Sequence, residues 1–144
     1  MFIPSIHPAK GTDSLCLPLI LDSVSAGLPS PGGDFLQSTF NLNEALIPRP
    51  AATFLMRVRG DLLQDFGLNS GDLIIVDRSV EPIDGAVIIA VVEGVLTVKR
   101  FHKSKGTIRL VPENSYAPPI VITKEMDFYL WGVITHIVHC LLVE

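Results

Sequence analysis

The chain has 144 residues, of which 48% are hydrophobic and 18% are charged, and its formal net charge is −4. This balance supplies enough apolar side chains for the core of one folded domain and excludes a chain that is disordered throughout. The eleven lysines and arginines form no dense run, so a surface that binds nucleic acid directly is not expected. The first residues lack the features of a signal peptide, and no apolar stretch approaches the roughly 20 residues that span a bilayer. We therefore expect a soluble, cytoplasmic protein without membrane contact, in which Cys16 and Cys140 are unpaired.

Residues 1–33 differ in composition from the rest, because they contain five prolines and end in Pro31-Gly32-Gly33. Proline removes a backbone donor and restricts φ, which favours extended or irregular chain. Two interpretations stay open here: an extended arm that docks on another surface, and an unstructured terminus. The apolar residues 15–21 favour the arm. We therefore divide the chain into an N-terminal arm, residues 1–33, and a β-rich domain, residues 34–144.

After the arm, one helical signal is followed by a series of strand signals. Asn41, with Glu44 three residues later, is a capping pattern that predicts a helix or a pair of turns within residues 34–46. Short β-branched and apolar runs follow, and Glu93-Gly94 between two of them is typical of a two-residue hairpin. The predicted strands are residues 53–59, 72–77, 86–92, 95–101, 107–112, 120–122 and 128–143. Strands of this length and spacing predict a mainly β, mostly antiparallel domain, built as a bent sheet or a barrel-like sandwich.

Three segments are candidates for chemistry. Ala26-Gly27 lies in a proline-bounded segment that offers little bulk to a protease cleft, although by itself it resembles an ordinary loop. Gly60-Asp61-Leu62-Leu63 follows a predicted strand, where a loop can expose a reactive group. Alternation along the strand that contains Lys99 places it on the same face as Phe101 and opposite Val98. Partial burial there would favour the neutral amine that a general base requires, whereas an ordinary edge-strand lysine would reach water, and both interpretations stay open.

These segments occur in an order that resembles the UmuD branch of the LexA-like self-cleaving serine peptidases, and the resemblance covers nearly the whole chain. Its motifs are Ala26-Gly27, Gly60-Asp61-Leu62-Leu63 and residues 69–77, 84–90, 96–100, 110–116 and 131–138. The resemblance implies the fold of LexA C-terminal domains and signal peptidases, a bent antiparallel sheet with an extended N-terminal arm. Residues 1–33 are too short and too rich in proline to hold the DNA-binding domain of a LexA repressor.

The resemblance also implies a serine–lysine dyad that cleaves the peptide bond before the glycine of the arm. That bond corresponds to Ala26–Gly27, and the general base corresponds to Lys99. The nucleophilic serine corresponds to Leu62, whose side chain carries no nucleophile. Ser70 matches no catalytic position and Ser30 lies beside the bond itself, so neither is expected to replace the missing serine. We therefore predict an inactive serine peptidase fold that uses no cofactor and no metal.

The last predicted strand contains His136, His139 and Cys140, which superficially suggest a metal site. On a strand the first and last of these share a face and His139 points to the other, so we expect structural side chains instead. The apolar residues 137–143 fit either a core strand or a subunit interface. The resemblance implies the interface.

The function that the resemblance implies lies in the SOS response to DNA damage, in translesion synthesis and SOS mutagenesis. We expect a homodimer, or a heterodimer with a UmuD-like protein, that contacts the RecA filament and a UmuC-like Y-family polymerase. The replicative clamp is a further expected partner, with residues 15–21 as the candidate contact. One alternative is an active self-cleaving peptidase in which Leu62 is an engineered replacement of serine, although alanine is the commoner choice for such trapping. Another is a phage-type repressor or antirepressor, of which the repressor form lacks support because no DNA-binding domain is expected.

Overall fold

The computed structural model describes residues 6–8, 16–20, 36–59, 66–113 and 117–142. The chain forms two compact units, one of Met1–Ala9 with Arg49–Glu144 and the other of Lys10–Pro48. The boundary that we predict between residues 33 and 34 lies outside the described residues. No helix in the described part of the chain is long and apolar enough to cross a membrane.

The larger unit is built on one eight-stranded sheet, in which every pair of neighbouring strands is antiparallel. Its strands are β1 (Ile6–Pro8), β4 (Thr53–Arg57), β5 (Leu73–Asp77), β6 (Val87–Val92), β7 (Val95–Ser104), β8 (Thr107–Val111), β9 (Ile120–Ile122) and β10 (Phe128–Val138). Their order across the sheet is β1-β4-β5-β10-β6-β7-β8-β9. The prediction of a mainly β, antiparallel domain is therefore confirmed.

Two details of this sheet differ from the sequence-based expectation. Strand β1 adds to the edge beside β4, with Ile6 opposite Met56, although its three residues carry no strand pattern of their own. Strand β10 ends at Val138 and does not continue to residue 143. Its last pair joins Val138 to Leu73, the first residue of β5, so the strand ends where its partner begins.

The turn between β6 and β7 is the predicted two-residue hairpin. Glu93 and Gly94 have φ angles of 50° and 79°, the left-handed backbone that type I′ turns require at both central positions. Lys105 and Gly106, with φ angles of 52° and 78°, form the equivalent turn between β7 and β8. The first hairpin is confirmed, and the second is a turn of the same kind without the Asn-Gly or Asp-Gly sequence that usually signals it.

Both faces of the central strands are buried. The first core cluster contains Met56, Val58, Leu68, Ile74, Val76, Ile89 and Val98. The second contains Ile88, Ala90, Val92, Phe101, Leu110 and Val133. Because successive side chains of a strand point to opposite faces, Ile88 and Ile89 enter different clusters, and the same holds for Val98 and Phe101. Val98 and Phe101, on either side of Lys99, therefore lie on opposite faces, as the alternation predicts.

Gly132 permits a close approach between β10 and the end of β5. A Cβ atom at this position would lie 2.6 Å from Val76 Cγ1, which is closer than carbon atoms pack. The pairing of β10 with β6 also shifts register between Leu130 and Gly132. Next to this irregularity, the Trp131 ring meets Phe54 edge to face and carries the Arg78 guanidinium 4.5 Å from its centroid.

The smaller unit contains a two-stranded antiparallel sheet followed by a short helix. Strand β2 (Cys16–Ile20) pairs with β3 (Leu36–Asn41), and α1 spans Leu42–Leu46. The Asn41 side chain caps the helix by accepting the Glu44 N–H at 3.2 Å, so the capping prediction is confirmed. Residues 36–41 form a strand and not part of a helix. Residues 21–35, which connect the two strands and include Ala26–Gly27, lie outside the described residues.

Asp77, the last residue of β5, has a side chain that is only 3% exposed. It accepts the N–H and O–H of Ser79 at 2.8 and 2.6 Å and the Arg49 Nε–H at 2.8 Å. Burial by itself raises the pKa of this carboxyl, but the hydrogen bonds from Ser79 and Arg49 outweigh that cost. The pKa of Asp77 therefore lies below the ordinary value of 3.8.

We expect Asp77→Asn to weaken the fold at neutral pH and to matter less in acid. A carboxyl whose folded pKa is depressed stabilises the protein above its unfolded pKa and loses that contribution as the pH falls through the folded pKa. The variant should lose about 1–2 kcal/mol of unfolding free energy at neutral pH, and the difference should shrink below pH 3.8. Urea unfolding across this range measures it, with Asp127→Asn as the control because Asp127 is exposed. A loss that stays constant into acid would contradict the assignment.

Candidate active site

The loop that carries position 62 leaves the sheet between β4 and β5. Two backbone hydrogen bonds close its base: the Val58 N–H donates to the Asp72 carbonyl at 2.8 Å, and the Gly71 N–H donates to the Val58 carbonyl at 2.7 Å. Residues 60–65, and with them Leu62, lie outside the described residues. The structure describes the residues on either side of them, 58–59 and 66–72, which we call the frame of the loop.

The returning limb of the loop is anchored in the core. Leu68 is 1% exposed and belongs to the first cluster, and Phe66 packs against that cluster. After Leu68 the chain turns, with the Asp72 N–H donating to the Asn69 carbonyl at 3.0 Å. Burial of a large apolar side chain stabilises its position by roughly 1.5–3 kcal/mol, so the end of the loop is held firmly.

Asp72 is the buried polar group of this frame, with a side chain that is 3% exposed. Its Oδ2 accepts the Asn69 N–H at 2.8 Å, and its Oδ1 accepts the His139 Nδ1–H at 2.5 Å. Burial raises the pKa of this carboxyl, but the Asn69 hydrogen bond and then the bond and charge of His139 outweigh it. The pKa of Asp72 therefore lies below its ordinary value, and the group is ionised at neutral pH.

Lys99 is half-buried in the middle of β7, opposite Ile88 of β6. Its neighbour Arg100 is held by two acceptors, the Gly85 carbonyl at 2.7 Å and Glu113 Oε1 at 2.5 Å. Among the residues that the structure describes, the Lys99 side-chain amine has no hydrogen-bond or ion-pair partner.

An open groove lies where the returning limb of the loop meets β6, β7 and β10. Its volume is about 310 Å³, and most of the side chains that line it are apolar. The lining residues are Phe66, Leu68, Val87, Arg100, Ile134, Thr135, His136 and Ile137. A groove of this size and polarity suits one or two apolar side chains of an extended segment.

The histidines and the cysteine near the C-terminus have separate partners. His136 lies beside Thr135 Oγ1 at 3.0 Å, His139 pairs with Asp72, and the Cys140 thiol donates to the Leu142 carbonyl at 3.3 Å. Because β10 ends at Val138, the strand alternation that we assumed applies only to the first of the three. Within the described ranges, no three His, Cys, Asp or Glu side chains are grouped so that they could hold a metal ion.

Sequence reasoning missed the pair of Asp72 and His139, which are 67 residues apart. The only signal for it is indirect. The two residues adjoin the pair Leu73 and Val138 at the end of the β5–β10 ladder, and that register follows from the tertiary structure.

Comparison with known proteins identifies the family of this chain. Residues 18–135 match the family model described as Peptidase S24-like. Protein SamA of Salmonella typhimurium is 38% identical over 136 residues, which cover 94% of this chain and 91% of SamA. Protein MucA of Escherichia coli is 33% identical over 83% of this chain and 82% of its own length. LexA repressor 1 of Xanthomonas axonopodis pv. citri is 38% identical over 85% of this chain and 60% of the repressor. The chain therefore belongs to the Peptidase S24-like family, as a UmuD-like member of the LexA/UmuD group that its motifs indicate.

Proposed function

We propose that this protein is a cleavage-defective UmuD-like subunit that acts by binding, as an accessory or regulatory subunit of an error-prone translesion polymerase in the cytoplasmic SOS response. The observation that carries the proposal is Leu62 at the position of the family's serine, in a chain that keeps Lys99 and the Ala26–Gly27 segment. An isobutyl group can neither attack a peptide bond nor give up a proton. The chemistry of the family therefore stops at its first step, the attack of the nucleophile on the peptide bond.

The intact frame supports a binding role. The base of the loop is closed by the hydrogen bonds of Val58, its end is anchored by Leu68, and the Asp72 carboxylate is satisfied on both oxygens. A fold that has lost one catalytic atom but keeps its packing still presents the same surface to a partner. We assign Lys99 the general-base position, idle in this chain, and Ala26–Gly27 the position of the uncleaved bond.

The chain's apolar end supports an interface. Ile137 and Val138 are 41% and 43% exposed, and Leu141 and Leu142 are 86% and 74% exposed. A run of exposed apolar side chains is typical of a surface that a partner covers. We assign it to a homodimer, or to a heterodimer with an active UmuD-like protein.

The remaining partners are a RecA filament, a UmuC-like Y-family polymerase and the replicative clamp. Leu17 of β2, 40% exposed, supports residues 15–21 as the clamp contact. We retain the division into an arm, residues 1–33, and a β-rich domain, residues 34–144, as part of the proposal. Being permanently uncleaved, such a subunit would hold the polymerase in check or serve an active relative as a substrate in trans.

The test has two parts. Incubation of the purified protein with an activated RecA filament, or at alkaline pH, should leave Ala26–Gly27 intact, while an active UmuD-like protein in a separate tube is cut. The uncleaved protein should also bind a purified UmuC-like polymerase and change its primer extension across a lesion. A fragment that starts at Gly27 would refute the cleavage defect, and unchanged extension at saturating protein would refute the accessory role.

A further inference from the structure

A hydrogen bond between His139 and Asp72 joins the segment after β10 to the frame of the loop. His139 follows directly after β10, and its Nδ1–H donates to Oδ1 of the buried Asp72 at 2.5 Å. The other oxygen of the same carboxylate receives the Asn69 N–H at 2.8 Å. A single carboxylate therefore connects a residue near the C-terminus to the turn that ends the loop of residues 59–70.

Because Asp72 is buried, its carboxylate depends on the hydrogen bonds that it accepts. An ionised carboxylate that is 3% exposed is costly unless its lone pairs are occupied. His139 supplies the side-chain donor to this carboxylate, since Arg57, the cation beside this turn, donates to the Gly71 carbonyl at 2.9 Å. Removal of His139 leaves Oδ1 without this donor and lets water compete for the carboxylate, which weakens its hold on Asn69.

We propose that His139 is a positioning residue for the loop that carries position 62, acting through Asp72 and Asn69. It holds the described end of this loop, residues 66–70, against the Asp72 carboxylate, and the serine–lysine chemistry of the family depends on that anchor. The part of the proposal that concerns cleavage rests on the proposed function. The part that concerns the loop does not.

The first test measures hydrogen exchange of the Asn69 amide in the full chain at neutral pH. We expect His139→Gln to lower the protection factor of this amide about three- to tenfold, and His139→Lys to restore it by supplying a strong N–H donor to the Asp72 carboxylate. His102→Gln is the matched control, because His102 forms an ion pair of the same type with the exposed Asp84, on another part of the sheet. Protection at Asn69 that is equal in the wild type and in His139→Gln would overturn the proposal.

The second test repeats these substitutions in a Leu62→Ser background and follows the rate of cleavage. His139→Gln should slow cleavage by about the same factor as it lowers protection at Asn69, while the His139→Lys and His102→Gln variants should cleave at close to the Leu62→Ser rate. If Leu62→Ser itself does not cleave, the inference that the rest of the catalytic site is retained is wrong. The exchange measurement still decides the role of His139. If Leu62→Ser cleaves and His139→Gln does so at the same rate, the positioning role is refuted.

Discussion

Leu62→Ser is expected to turn an uncleaved protein into one that cuts its own Ala26–Gly27 bond. The substitution returns a hydroxyl to the position of the nucleophile, while Lys99 is present and has no competing partner among the described residues. Loss of a nucleophilic serine costs other serine peptidases on the order of 10⁶ in rate, so the gain should be at least about 10³-fold. Incubation at alkaline pH or with an activated RecA filament, followed by mass spectrometry, detects fragments that end at Ala26 and start at Gly27.

Two variants identify the chemistry behind this gain. Leu62→Ala removes the bulk of the leucine without adding a hydroxyl and should stay uncleaved. Leu62→Ser combined with Lys99→Met keeps the volume of the lysine stem but removes the base, and it should lose most of the restored activity. If Leu62→Ser is folded and stays intact under both conditions, the site has lost more than its nucleophile, and the inference that Lys99 and the rest of the site are retained for catalysis is wrong.

The second large effect is expected for Ile89→Ala, at the centre of the sheet. Ile89 is fully buried in the first core cluster and lies on β6, between Val98 of β7 and Gly132 of β10. Truncation removes three buried carbons and leaves a cavity that neighbouring strands cannot close without breaking their pairing. We expect a loss of about 2–5 kcal/mol in the free energy of unfolding, measured by urea denaturation at equilibrium.

The matched control for Ile89→Ala is Val95→Ala, which shortens a β-branched residue of the adjacent hairpin. Val95 is 65% exposed, so its truncation should change the free energy of unfolding by about 0.5 kcal/mol or less. Equal losses in the two variants would mean that the burial of Ile89 does not govern stability at the centre of the sheet.

The features that could be predicted from the sequence depend on a few neighbouring residues. Glu93-Gly94 specifies its hairpin because Gly94 adopts the left-handed backbone of the turn without steric cost, and Asn41 specifies the start of α1 because its side chain reaches the Glu44 N–H. The alternation around Lys99 is of the same kind, since a strand has a period of two whatever it pairs with.

The sequence-based predictions that were wrong have a common cause, which is strand pairing. Residues 36–41 form a strand because β2 pairs with them, and β2 contains Pro18, which lacks the N–H that a central strand needs. A two-stranded sheet tolerates proline because each of its strands has a free edge. Pro8 of β1 is tolerated for the same reason, at the edge of the large sheet.

The sequence by itself determined the strand-rich class, the hairpin, the helix cap, the family motifs and the substitution at position 62. Each of these is a property of residue type and local spacing. Only the tertiary structure decided that β1 joins β4, that β10 ends at Val138, and that His139 meets Asp72. The reason is physical: an alternating pattern specifies which side of a strand is buried, but the partner across the ladder depends on how distant segments pack together.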